Sequence, residues 1–219
     1  FLSVLGSVTE AQDSVALLAP SNNAPFTERS WPHQGMITEI VTAAMAQSPD
    51  PIPLALTWLE DAAVPLPALR YEADMTFPWP KPPCYGFGPD PVLCGKVHVS
   101  DPVLEVLVLL FVRSENDFVF DTADDLRGKR LCYVPTKVQG DRDAIEPDWI
   151  ADTAALTQAA ETVEGCFDRL MADQADAVAI NEFQGIQQIF AQKLTEEVVP
   201  LPRAVGAKTL HLLISKTHW

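Results

Sequence analysis

The longest apolar run in the chain is Pro102–Val112, PVLEVLVLLFV, entered through Ser100-Asp101 and left through Arg113. It falls well short of the roughly 20 apolar residues that a bilayer-spanning helix needs, and Glu105 interrupts it. Val and Leu dominate without strict alternation, and charged residues stand at both ends. A strand buried on both faces has this signature, although periodicity alone does not separate it from a buried helical segment. The run lies near the middle of 219 residues with similar strand-and-helix patterning on either side. A central strand so placed suggests a crossover between two lobes.

The rest of the chain alternates the same way. Ser14–Ala19 reads as a strand, and Pro20–Ser30 as a turn-rich segment carrying Phe26 after Pro25. Apolar positions Met36, Ile37, Ile40, Val41, Ala44 and Met45 follow the spacing of one helix face, predicting a helix from Gly35. Leu54–Trp58 and Ala73–Phe77 read as strands. Between them Glu60–Leu69 is spoiled for helix by Pro65 and Pro67. The following segment, WPKPPCYGFGPDPVLCG, is too rich in Pro and Gly for regular structure. After the central run, Asp124-Asp125-Leu126 reads as a helical turn, Gly128 as a turn and Arg130–Val134 as a strand, while Gln139–Trp149 reads as loop plus helix. Ala155–Ala159 and Ala175–Ile180 are strands, separated by a helix, Thr162–Met171, with Val163, Cys166, Phe167 and Leu170 on one face. Glu182–Leu194 is a helix with Phe183, Ile186, Ile189 and Phe190 apolar. Glu197–Leu201 and Thr209–Ser215 read as two closing strands. Alternating strand and helix predicts an α/β architecture with right-handed crossovers.

Composition narrows the function classes. Fifteen basic residues against 30 acidic ones give a net charge of -15. That excludes the clustered Lys and Arg of a nucleic-acid binder and opposes docking on anionic lipid. The four cysteines, Cys84, Cys94, Cys132 and Cys166, form no CxxC, and the four histidines are scattered, so no zinc site is expected. Cys84–Cys94 would staple the Pro- and Gly-rich loop, and Cys132–Cys166 would tie a strand to a nearby helix. Such disulfides imply an oxidising compartment; the alternative is four buried free thiols. Residues 1–12, FLSVLGSVTEAQ, look like the tail of a secretory signal peptide without its basic region, or else a flexible arm.

No GxSxG, HExxH, GxxxxGK[ST] or GxGxxG occurs. Glu182, Asp176 and His211 are the residues that folding would have to gather to build acid–base chemistry, and nothing in their spacing requires it. No enzyme activity and no cofactor is expected.

The order APFTERS, QGMITEIVTAAM, TWLED, YEADMTF, VSDPVLEVLVLLFVR, DDLRGKRLCYVPT and VEGCFDRLMADQADAVAINE resembles a periplasmic solute-binding protein. More narrowly, it resembles the type II family that binds polar amino acids for ABC importers. The resemblance covers Ser14 to Ser215. It implies two α/β lobes, 13–101 plus 202–219 and 102–201, joined by crossing segments within Ser100–Arg113 and near Val198–Arg203. Solute would bind in the cleft and the lobes would close by hinge bending. It also implies a periplasmic location and a permease as partner, or a receptor ectodomain if the module is sensory, with no membrane insertion. The family's further C-terminal helices have no counterpart before Trp219, which would leave an apolar patch on the first lobe for a partner.

The resemblance carries over to the site only in part. An aromatic after a proline matches Pro25-Phe26. The third strand is followed by Thr76-Phe77-Pro78-Trp79-Pro80-Lys81, where the family has an Arg that clamps a carboxylate; Lys81 is a point charge, not a bidentate fork. Where the second lobe should offer a carboxylate for the ligand amine, Asn181 stands, with Glu182 next to it. With both ends of the clamp altered, the expected ligand is a small polar or aromatic solute, held between Trp31, Phe77, Trp79 and the polar groups of Ser100, Thr136 and Asn181.

Overall fold

The computed structural model describes residues 14–49, 51, 53–59, 73–82, 91–137, 144–145 and 154–217. In chain order the strands are β1 (Val15–Pro20), β2 (Asn22–Asn23), β3 (Thr27–Glu28), β4 (Leu54–Leu59), β5 (Met75–Pro80), β6 (Val97–Val99), β7 (Leu104–Arg113), β8 (Arg130–Tyr133), β9 (Thr136–Lys137), β10 (Ala144–Ile145), β11 (Leu156–Ala159), β12 (Ala177–Asn181) and β13 (Val198–Ser215). The helices are α1 (Met36–Ala46), α2 (Pro91–Lys96), α3 (Val163–Met171) and α4 (Glu182–Ala191), with 3-10 turns at Pro32–Gln34 and Ala123–Leu126. Glu60–Leu69, Cys84 and most of Gln139–Trp149 lie outside the described residues.

Nine strands form one mixed sheet in the order β11-β8-β12-β7-β13-β5-β1-β4, with β6 pairing the far end of β13. In one half, β1 runs parallel to β4 and β5. In the other, β8 runs parallel to β11 and β12. Between them β7 and β13 pair antiparallel from Val198 opposite Arg113 to Leu210 opposite Leu104, so both passages of the chain between the halves lie side by side.

Each half has its own core. Val15, Leu17, Ala19, Phe26, Ile37, Val41, Met75, Phe77, Val106 and Leu210 form the first. The second sheet half is covered on both faces. Phe111, Cys132, Cys166, Phe167, Leu170 and Val178 gather on one side, and Val108, Leu110, Val112, Leu131 and Ala177 on the other. The central run is therefore a strand, but only its end, Leu110–Val112, is buried throughout; Glu105 and Leu107 are exposed. Adjacent inward positions, Val106 and Val108, belong to different cores.

Two sequence expectations are corrected. The closing strands are one continuous β13, because irregularities between Pro200 and Ala204 and between Ala204 and Gly206 absorb the prolines that a regular ladder would reject. Pro91–Lys96, inside the segment read as irregular, is a short helix. Cys132 and Cys166 are joined, with Cα atoms 5.4 Å apart, tying β8 to α3, and Cys94 is also disulfide-bonded.

Candidate functional site

The candidate site lies where β7 and β13 pass between the halves, and Phe26 is its best-anchored side chain on the first half. The start of α1 fixes the loop that carries it: the Met36 and Ile37 amides donate to the carbonyls of Pro25 and Phe26 at 3.0 and 2.9 Å. This satisfies two of the amides that every helix N-terminus leaves open. Gly35 makes the approach possible. Its φ is +98°, and a Cβ there would lie 2.6 Å from the Phe26 carbonyl oxygen, a conformation and a contact that only glycine accepts. Phe26 is consequently buried in the first core.

The remaining first-half candidates separate into surface and interior. Trp31 is 41% exposed and Lys81 is on the surface. Phe77 is buried in the first core. Thr76 is fully buried and accepts a hydrogen bond from Trp79 Nε1 at 2.9 Å, while Trp79 packs with Val97 and Leu213. Ser100 is stitched to β13: its Oγ accepts from the Leu212 amide at 3.0 Å and donates to the Asp101 carbonyl at 2.6 Å. Its own carbonyl meets His211 Nδ1 at 2.8 Å. A carbonyl only accepts, so Nδ1 carries a proton, and Nε2, 2.8 Å from Thr209 Oγ1, completes a fully bonded buried imidazole. The spacing of His211 gave no signal of this role.

On the second half, Asn181 ends β12 and caps α4. Its Oδ1 accepts from the Gln184 amide at 2.9 Å and its Nδ2 donates to Gln184 Oε1. Glu182 reaches across instead: Oε1 accepts from the Leu107 amide at 3.2 Å, at the point on β7 between the two cores. Phe183 then turns toward the first half and meets Phe26 edge to face, with ring centroids 5.8 Å apart and planes at 77°. Thr136 lies on β9; its side chain is outside the described residues, and its backbone pairs with Ile145.

Phe183 is the site residue that sequence reasoning missed. The apolar positions 183, 186, 189 and 190 suggest one inner stripe, yet of these α4 fully buries only Ile189, together with Gly185, leaving Ile186 and Phe190 39% and 67% exposed. Gly185 sets the rotation by letting the helix settle onto Phe111. The available signal was a glycine in a helix interior, which marks a close approach when it is tolerated.

Asp176, Glu182 and His211 do not converge. Asp176 accepts from the Arg130 side chain at 2.5 Å and from its amide at 2.7 Å. The hydrogen-bonded guanidinium, with the backbone amide, holds its carboxyl below the ordinary range. Glu182 is committed to β7 and His211 to Ser100, so no acid–base constellation forms among the described residues. Nor do the described residues contain a group of three or more His, Cys, Asp or Glu able to hold a metal ion.

No protein-family model and no curated protein matches the sequence. Solved structures do match. The GluR0 ligand-binding core in complex with L-glutamate superposes with a TM-score of 0.66 at 14% identity, covering 93% of this chain and 85% of that one. The VFT2 periplasmic domain of BvgS from Bordetella pertussis gives 0.66 at 17% identity, covering 94% and 82%. Holo ArgBP from T. maritima gives 0.57 at 16% identity, covering 94% and 84%. At these identities the likeness is one of fold: two α/β lobes of the type II periplasmic-binding-protein kind. Among these structures are a ligand-binding core with L-glutamate, ArgBP in arginine-bound form and a periplasmic domain.

Proposed function

We propose that this chain, which has the two-lobed fold of type II periplasmic binding proteins, is an extracytoplasmic solute-binding domain that captures a small polar or aromatic solute between its lobes for an ABC-type importer. The observation that carries the reading is the paired crossing. Val106 packs in one core and Val108 in the other, so β7 and β13 can bend together near Leu107 with each half keeping its own core, the Phe183 ring against the first core being the contact that changes. Solute would shift the open–closed population by the contacts it gains only when both lobes touch it. Phe26, Lys81 and Ser100 on the first lobe and Thr136 and Asn181 on the second are the proposed solute-facing positions. Thr76, Phe77 and Trp79 support that wall from beneath, with Trp31 at its rim. In this reading the lobes expected from the sequence, 13–101 with 202–219 and 102–201, move to boundaries near Leu107 on β7 and its partner Ala207 on β13, where the two cores divide. The Cys132–Cys166 bond supports an oxidising, periplasmic location.

A second reading is favoured by the Phe26–Phe183 contact and by the altered clamp. The domain would keep the lobes and report to a receptor or sensor partner in place of a permease. A thermal-shift screen of amino acids, small carboxylates and aromatic solutes tests the first reading, because a ligand that binds only the folded state raises Tm with its concentration. A stabilising solute whose uptake fails in a strain lacking the chain supports import. A complete absence of stabilising solutes overturns it.

A further inference from the structure

The contact between Phe26 and Phe183 joins the two lobes, and each ring is anchored from its own side. Phe26 is fixed by the Gly35 turn beneath it. Phe183 is fixed by three features of α4: the Asn181 cap, the Gly185 approach to Phe111 and the bond from the Leu107 amide to Glu182. The body of α4 rests on β7, β12, β13 and α3, yet its first-turn aromatic packs with the first core. Helix burial therefore belongs to one lobe and the aromatic contact to the other.

We infer that Phe183 is a built-in latch: it docks on Phe26 and holds the lobes together, while the Glu182 bond to Leu107 fixes the start of its helix at the hinge. A solute entering between the lobes then has to displace the Phe183 ring, so occupancy is read as exchange of an internal aromatic contact for an external one. An edge-to-face pair adds a modest increment beyond the area it buries, which makes it strong enough to bias a two-state equilibrium and weak enough to be displaced. The latch rests on the Phe26–Phe183 contact, and its displacement by solute rests on the solute-binding reading proposed above.

Solution scattering and hydrogen exchange on solute-free protein test it, with Phe183→Ala against wild type. The wild-type scattering profile should match the structure described here. In Phe183→Ala the radius of gyration should rise, and exchange at the amides of Val106, Leu107 and Val108 should speed up about tenfold. Phe183→Leu, which keeps apolar bulk and loses the ring edge, should fall between the two. An open wild-type profile overturns the latch. So does a folded Phe183→Ala protein with unchanged scattering and exchange. If Phe183→Ala does not fold, exchange in Phe183→Leu equal to wild type overturns it in the same way. None of these outcomes depends on whether a solute is found.

Discussion

Gly185 lies against the ring of Phe111: a Cβ built on it would come within 2.0 Å of the ring Cζ. Alanine is the better helix former by about 1 kcal/mol, so an exposed glycine here would be a weak point that alanine repairs. In this contact the sign reverses, because the ring is fully buried among Cys132, Phe167 and Val178 and has nowhere to retreat. Overpacking of this kind costs about 1–3 kcal/mol. Gly185→Ala should therefore lower stability in urea unfolding, and Phe111→Leu in the same background should recover part of the loss. An alanine variant as stable as wild type would show that α4 can lift off β7.

The Arg130–Asp176 pair predicts acid sensitivity. The folded-state pKa of Asp176 is depressed, with the Arg130 side-chain bonds as the largest cause. A depressed carboxyl contributes stability that is fully present above its unfolded pKa of about 3.9 and is lost as pH falls through the folded value. Tm measured down from neutral pH should decline more steeply below about pH 4 in wild type than in Asp176→Asn. That variant should start lower at pH 7 and run flatter. Parallel curves would remove Asp176 from the account of acid unfolding.

The bond between Cys132 and Cys166 closes a loop with a sequence separation of 34. Loop-closure entropy puts its contribution at about 3–4 kcal/mol. Cys132→Ala with Cys166→Ala should reduce unfolding free energy by about that amount, with the Cys94 bond left in place as an internal control. A loss below about 1 kcal/mol would mean that α3 and β8 stay together in the unfolded ensemble without the bond.

Those features differ in how far the sequence announces them. The helix periods of α1 and α3 are visible because burial sets an apolar side apart from a polar one, whereas β1 and β7 are visible as short apolar runs. The Cys132–Cys166 pairing is compatible with their positions on a strand and a nearby helix, but the sequence leaves free thiols open until the structure joins them. The continuity of β13 is hidden, since Pro200, Pro202 and Gly206 are local strand breakers and only the partner strand β7, far away in sequence, supplies the bonds that bridge them. Thr162 looks a poor cap for lack of an acidic or amide residue three positions on, yet its hydroxyl alone accepts the Gly165 amide at 3.0 Å. Asn181 illustrates the limit at the site. A side chain at a ligand position and a side chain capping a helix are the same residue in sequence, and the structure shows its Oδ1 held by the Gln184 amide. The Phe183 contact is farther still from local reading, because the close seating of α4 on Phe111 orients the helix that presents the ring.

His211 gives the last prediction. Both ring nitrogens are bonded in a buried setting, Nδ1 to the Ser100 carbonyl and Nε2 to the Thr209 hydroxyl. Ser100 stands just before β7, while Thr209 and His211 stand on β13, so the imidazole ties one crossing segment to the other. Leucine fills a similar volume but leaves the carbonyl without its side-chain donor, a loss of about 1–3 kcal/mol. His211→Leu should therefore unfold at lower denaturant than wild type. His211→Gln, which can still donate to Ser100, should lie closer to wild type. If both variants fall equally, packing around the ring and not the hydrogen bond to Ser100 holds the crossing segments in register.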